Sequence, residues 1–356
     1  MIFHLGALIR LNEAGLLSKL KRISSVSGGS ITAAMLGLRW NQLGWGTLGI
    51  AKNLDSEVVA PIRELAGKTI DAESVIVGML TPGTISEKVA RHYDEQLFHG
   101  ATLQALPTDQ DGPRFVINAT NVQSGALWRF SRPYMADYLV GQVPNPAVPL
   151  ALAVAASSAF PPVLSPATLR LRHSDFTPDA TCPLQQPPFT TEVILTDGGV
   201  YDNLGLETAW KRYRTVLVSD GGGKMGAEAE PKHDWGRHAY RVFNVIDNQV
   251  RSLRKRQLIG AFINANDNHD GTYWGIRTQI ADYQLPDALA CPEDRTKELA
   301  ETPTRLKRLE PEYQERLINW GYAVCDAALR KHLMEIAKGY GFDVGQKPQF
   351  PYARGV

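Results

Sequence analysis

Two short runs carry residue types that do chemistry. Ser25-Val26-Ser27-Gly28-Gly29 joins a β-like run, Arg22 to Val26, to an apolar helix from about Ile31. Ser27 is thereby set at a strand-to-helix turn, where a hydroxyl stands clear of the chain. Gly28 frees the N–H just after it, and the helix N-terminus adds positive partial charge where an oxyanion would form. Gly29 lets the turn close. The same residues also suit an ordinary Gly-Gly-Ser turn before a buried helix. The second run is VILTDGGVYDNLG. Here Asp197 ends an apolar strand, and Gly198 and Gly199 shape the loop that presents it. A carboxylate there sits at the edge of a sheet, although Asp also caps Gly-Gly turns routinely.

A serine nucleophile needs a base, usually a histidine held by a carboxylate. The chain has eight histidines: His4, His92, His99, His173, His233, His238, His269 and His332. None follows an apolar strand. His233 and His238, flanking Trp235 in a polar stretch, are the best of a poor set. The carboxylates are better placed than the histidines, and an Asp acting directly on the serine would make a two-residue dyad of Ser27 and Asp197, with a capped Gly-Gly turn as the equal alternative.

The elements that must position this pair alternate between helix and strand. An amphipathic helix opens the chain, with Ile2, Leu5, Ile9 and Leu16 at helical spacing and Asn12 interrupting the stripe. A strand near 21–26 and a helix near 29–42 follow. RFVINAT (114–120) and ALWRFS (126–131) read as strands, and AVPLALAVAASSA (147–159) as a buried helix. TEVILTD (191–197) and RTVLVSD (214–220) are β-branched runs ending in Asp, the pattern of buried parallel strands with functional loops at their C-terminal ends. A long helix over roughly 237–263 gathers Val242, Ile246, Val250 and Leu253 on one face. YWGIRTQI reads as an outer strand. A last helix, about Pro311 to Ala337, turns Tyr313, Leu317, Trp320 and Val324 inward. The expectation is an α/β fold with a mainly parallel central sheet between helices. It forms one domain over 1–356, with 51–110 as a helical cap-like insertion and 225–340 as a helical extension on the same domain.

Bulk properties narrow the function classes. Residues are 44% hydrophobic and 21% charged, and the net charge is +1, so no global field favours nucleic acid. Three cysteines form neither a disulfide framework nor a metal-ligand spacing and read as buried small residues. No run reaches the ~18 apolar residues of a membrane-spanning helix, and no secretory signal is legible at the start. These features predict a cytoplasmic protein, peripheral at the membrane where its substrate demands it. SDGGGKMG (219–226) lacks the phosphate-loop spacing and reads as a structural turn. The basic residues Arg251, Arg254, Lys255 and Arg256, and the run TRLKRL (304–309), read as solvated faces. The apolar stretch 70–82 and Trp40, Trp45 and Trp128 read as core.

Taken together and in order, these runs resemble the patatin-like phospholipases. FHLGALIRLNEAGLL resembles the first helix of that family, SVSGGS its elbow (usually GVSGGS), and DGGVYDNLG its second motif. INATNVQSGALWRFS, AASSAFPPVLSP, NQVRSLRKRQLI and PTRLKRL…LINWGYAVCDAALR resemble further segments of bacterial members. The resemblance implies a patatin-like three-layer sandwich and a serine lipid acyl hydrolase. Its dyad would be Ser27 and Asp197, with no cofactor or metal, acting on phospholipids or other acyl-ester lipids. It departs at Ser25, where the family has glycine. It also implies a strand and a glycine-rich oxyanion loop ahead of the first helix, whereas this sequence opens within that helix. The expectation is therefore a hydrolase of reduced activity or, alternatively, a catalytically impaired lipid-binding or interaction protein of the same fold. A histidine-triad esterase is the third reading.

Overall fold

A computed structural model describes residues 1–68, 84–223, 225–264, 266–302, 308–339, 341, 344, 345 and 347–356. The stretch 70–82 and most of TRLKRL lie outside the described residues. In chain order the helices are α1 (Ile2–Glu13), α2 (Gly28–Arg39), α3 (Ala60–Ala66), α4 (Ile85–Tyr93), α5 (Leu150–Ser157), α6 (Gly199–Asp202), α7 (Glu207–Trp210), α8 (Trp235–Ile263), α9 (Glu293–Ala300), α10 (Pro311–His332) and α11 (Met334–Gly339). The strands are β1 (Arg22–Ser25), β2 (Arg114–Asn121), β3 (Ala126–Phe130), β4 (Tyr134–Asp137), β5 (Gly141–Pro144), β6 (Ala167–Arg170), β7 (Glu192–Asp197), β8 (Thr215–Asp220) and β9 (Asp270–Gly275).

The mixture of helix and strand is as expected, but the mainly parallel sheet is not. Seven strands form one sheet in the order β5-β4-β3-β2-β7-β6, with β1 added on β2. Only the β1–β2 pair is parallel; every other pair is antiparallel. The reason lies in the connections. Residues 122–125, 131–133 and 138–140 join β2 through β5, and such short links can only close hairpins, since a parallel crossover needs a dozen residues or more. RTVLVSD does not join this sheet. It forms β8, which pairs in parallel with β9 as a separate two-stranded sheet. β9 itself starts three residues before the YWGIRTQI run and stops within it.

One edge of β2 decides where the site forms. Ile117 is paired on both sides, with Phe130 of β3 and Ser25 of β1. Ala119 is likewise flanked by Trp128 of β3 and Asp197 of β7. β1 and β7 therefore share the edge opposite β3. Since β1 runs parallel to β2 and β7 antiparallel, their C-terminal ends meet head to head, Ser25 opposite Ile117 and Asp197 opposite Ala119.

The core is apolar and continuous around this sheet. α1 packs on α10, where Ile318, Trp320, Val324 and Leu329 are fully buried. Small residues let the backbones touch: a Cβ on Gly6 would lie 2.0 Å from the Ile318 carbonyl, and one on Gly321 1.9 Å from that of Phe3. Asn12, which breaks the stripe of α1, is buried and uses its amide to bond both the N–H and the carbonyl of Ala51. Leu5 and Leu16 of the stripe are buried. Cys325 is buried as expected, but Cys182 and Cys291 are only partly so.

Candidate active site

The three serines of SSVS have different surroundings. Ser24 Oγ donates to the Gly205 carbonyl and accepts from Asn118 Nδ2 and Thr208 Oγ1, at 2.5, 2.9 and 2.8 Å. Ser25 is buried, with its Oγ 3.4 Å from the Val116 carbonyl and 3.1 Å from Ser30 Oγ. Serine thus fits where the family has glycine. Ser27 alone of the three makes no such structural bond through its hydroxyl among the described residues.

Ser27 caps the N-terminus of α2 with φ +51° and ψ −131°, a region L-residues avoid. Holding a non-glycine residue there costs on the order of 1–3 kcal/mol, so its surroundings must enforce it. They do so through Ser157, the last residue of α5. The Ser27 N–H donates to the Ser157 carbonyl at 3.2 Å and to its Oγ at 3.0 Å. Ser157 Oγ also donates to the Asn118 carbonyl at 2.7 Å and lies 2.8 Å from Ser30 Oγ. The Gly29 and Ser30 N–H groups turn back to the Val26 and Ser27 carbonyls. The Gly28 N–H, by contrast, has no acceptor among the described residues, and it opens the positive end of α2. A Cβ on Gly28 would stand 3.3 Å from the Met1 nitrogen, so this approach is tight.

Asp197 is 2% exposed. Its backbone is pinned on both sides: the N–H donates to the Ala159 carbonyl at 3.0 Å and its carbonyl accepts from Thr120 Oγ1 at 2.8 Å. Oδ1 accepts the Gly199 N–H at 2.7 Å. Oδ2 is buried and has no partner of full hydrogen-bond geometry among the described residues. Burial pushes the carboxyl pKa up to about 6, against the Gly199 N–H and the nearby Ser27 hydroxyl, which both favour the charged form. Asp247 adds to the rise and Arg251 opposes it, both from α8.

Gly198 is where two backbones cross. A Cβ there would lie 2.3 Å from the Asn118 carbonyl, and its N–H donates to the Ser157 carbonyl at 3.2 Å. Ser157 therefore bonds the serine turn and the aspartate loop at once. Gly199 has less constraint: a Cβ would meet Asp197 Oδ1 at 3.0 Å.

Other acidic residues and the histidines fall away from this point. Asp202 is buried but spent on the N–H groups of Leu204 and Glu207, which caps α7. Asp220, at the end of the second β-branched run, accepts from the Gly222 N–H and the Tyr273 hydroxyl, so the glycines after it form a capped turn. His233 and His238 are exposed. The histidine near the elbow is His4, behind Gly29, and its Nδ1 is bonded to Ser219 Oγ at 2.8 Å. Burial pushes its pKa down to about 3, so its ring is neutral. Among the described residues no three His, Cys, Asp or Glu side chains group as a metal site. A surface cleft lined by Ala60, Arg63, Glu64 and Gln314 contains no member of this cluster.

Sequence reasoning placed Ser27, Gly28, Gly29, Asp197, Gly198 and Gly199 near one another, and the fold brings them together. It missed Asn118 and Ser157. The signal was present in both cases: a lone amide inside the apolar strand RFVINAT, and a serine at the end of an alanine-rich helix. Each is polar where the pattern calls for apolar, which in a buried element demands partners.

A buried carboxylate, one oxygen of which has no fully formed partner among the described residues, thus stands near a serine on a strand-to-helix turn of a mixed helix-and-strand fold. Residues 1–210 match the family model described as patatin-like phospholipase. That is more than half of the 356 residues, and the chain belongs to the patatin-like phospholipase family. This is a family of lipid acyl hydrolases. No curated protein matches the chain. Among the described residues, no helix is long and apolar enough to cross a membrane.

Proposed function

We propose that this protein hydrolyses acyl esters of phospholipids or related lipids through a Ser27–Asp197 dyad. One observation carries the reading: Asp197 Oδ2 is buried with no partner of full hydrogen-bond geometry among the described residues, and the Ser27 hydroxyl is near enough to the carboxyl to favour its charged form. An orphaned buried carboxylate oxygen is costly, and a base awaiting a proton is a physical reason for keeping one. In the proposed reaction Ser27 Oγ bonds to the ester carbonyl carbon as its proton passes to Asp197. The carbonyl oxygen becomes an oxyanion, met by the Gly28 N–H and the positive end of α2. Collapse breaks the bond to the alcohol, which takes the proton from Asp197. Water then gives its proton to the same carboxylate and attacks the acyl-serine; the bond to Ser27 Oγ breaks, that oxygen takes the proton back from Asp197, and the fatty acid leaves.

The test is labelling with a fluorophosphonate, followed by mapping of the modified peptide. Label on Ser27, lost in Ser27→Ala and sharply reduced in Asp197→Asn, is the expected result. Label elsewhere, or equal labelling of the Asp197→Asn variant, would sink the dyad. Failure of a well-folded wild-type chain to label would favour the impaired lipid-binding protein. Activity lost on changing a single histidine but kept in Asp197→Asn would favour the triad esterase.

A further inference from the structure

α8 is the longest helix of the described residues, at 29 residues, yet only Leu258 and Ala261 along it are buried. Trp235, Val242, Ile246 and Leu253 follow one another at intervals of seven, four and seven residues, which is about two turns, one turn and two turns. They therefore form a single stripe. Periodicity alone assigns such a stripe to a core, but it stands in the open: Trp235 is 88% exposed, and Ile246 and Leu253 are each 57% exposed. Of the eleven large apolar side chains exposed among the described residues, seven belong to this helix, so the exposure is concentrated rather than scattered.

We propose that this stripe of α8 docks on an anionic lipid surface and so tethers the protein to it. The choice of a lipid occupant rests on the acyl-ester reading above. Three observations favour it. First, the helix carries six Arg and Lys residues against the single Asp247. Asp234, Glu228 and Glu207 pair with Arg237, Arg241 and Arg254, which still leaves an excess of two positive charges on a chain whose total is +1. Arg256 beside the stripe meets no carboxylate among the described residues; its Nε is bonded to the Ser252 carbonyl. Apolar residues with flanking basic ones are the composition of a helix lying in a membrane interface. Second, the same charge argues against a second copy, because a two-fold helix pair would set two cationic helices face to face. Third, the helix adjoins the site. Phe243 packs on Phe160 with ring centroids 5.6 Å apart, and Phe160 follows Ala159, whose carbonyl holds the Asp197 N–H. Arg251 reaches the Gly223 carbonyl in the loop after β8. α8 therefore packs beside the Asp197 loop through residues on a different face from the stripe, which leaves the stripe itself open to a surface.

The experiment is sedimentation with large unilamellar vesicles of phosphatidylcholine, with and without about a quarter phosphatidylserine. Wild type and Ser27→Ala should both bind the anionic vesicles, more weakly as salt rises, and bind pure phosphatidylcholine less. Ile246→Glu/Leu253→Glu should reduce the bound fraction at least tenfold, while hydrolysis of a soluble short-chain ester stays unchanged. Both side chains are exposed, so the fold should survive; a circular dichroism melt checks this. A second readout needs no charged variant. The Trp235 emission should shift to the blue on vesicle addition, and that shift should vanish in Trp235→Phe. Wild type that ignores both vesicles, or a folded double variant that binds as wild type does, overturns the proposal. A concentration-dependent dimer abolished by the double variant assigns the stripe to a second copy instead. Because Ser27→Ala abolishes chemistry and not docking, vesicle binding without hydrolysis refutes only the catalytic reading.

Discussion

At the residue scale the molecule turns on one carboxyl group. The folded pKa of Asp197, about 6, lies above its ordinary value of 3.8 because the charged form is buried. Two consequences follow from the sign. In the proposed dyad Asp197 acts as a base and must be ionised, so the proposed ester hydrolysis should fall on acidification with a midpoint near pH 6. A profile of kcat/KM against pH that is flat from pH 5 to 8 would contradict this. For stability the linkage runs the other way. Between about pH 4 and pH 6 the folded state binds the proton more tightly than the unfolded chain does, so its contribution is full at low pH and is lost as pH rises through 6. At pH 8 the buried charge costs on the order of 3 kcal/mol. Asp197→Asn, which keeps an oxygen for the Gly199 N–H, should therefore raise Tm at pH 8 and change it little at pH 4. A variant less stable than wild type at pH 8 would show that the carboxylate is better solvated than its burial implies.

At the element scale the site depends on strand ends meeting along β2, and on two backbones passing closely at Gly198. A Cβ there would stand 2.3 Å from the Asn118 carbonyl, where no flexible side chain can give way. Gly198→Ala should cost about 1–3 kcal/mol or more in denaturant unfolding and displace Asp197 from Ser27. Gly199→Ala should be milder, because the atom it meets at 3.0 Å is a side-chain oxygen. Equal unfolding midpoints for the two variants would remove the argument for a backbone crossing. Ser157 is the other joint. One residue accepts from both the Ser27 and Gly198 N–H groups, so α5 fixes the serine and the aspartate with respect to each other.

Across the whole molecule, the two ends of the chain are tied through a buried charge network. Arg10 of α1 donates to Asp326 of α10 at 2.8 Å and to the Val344 carbonyl at 2.9 Å. Arg330 donates to the other Asp326 oxygen at 2.9 Å and to Asp287 at 2.7 Å. Arg10 and Asp326 are each 1% exposed. Removing one member of such a set leaves charge buried without a partner, so Asp326→Ala should destabilise the protein by about 3–5 kcal/mol. Unchanged thermal unfolding would mean that water reaches Arg10 and Arg330 once the carboxylate is gone. Since α1 also lies near the elbow, partial loss of fluorophosphonate labelling should accompany the loss of stability.

Local chemistry was legible in the sequence. Ser27 before Gly28-Gly29, Asp197 before Gly198-Gly199, and the helices α1, α2, α5, α8 and α10 follow from residue type and period, which are properties of a few neighbouring residues. Sheet order depends on which strands pair across long separations, and an apolar run does not encode its partner. Hence β8, which reads as a parallel strand of the central sheet, pairs with β9 in a separate sheet, and β7 runs antiparallel to β2. Burial is also a tertiary property: period shows that α8 has an apolar stripe, but only packing decides that nothing among the described residues buries it. The meeting of Ser27 with Asp197, 170 residues further along the chain, has the same origin. Residue chemistry names the two groups, and the shared edge of β2 sets the direction in which each strand end points.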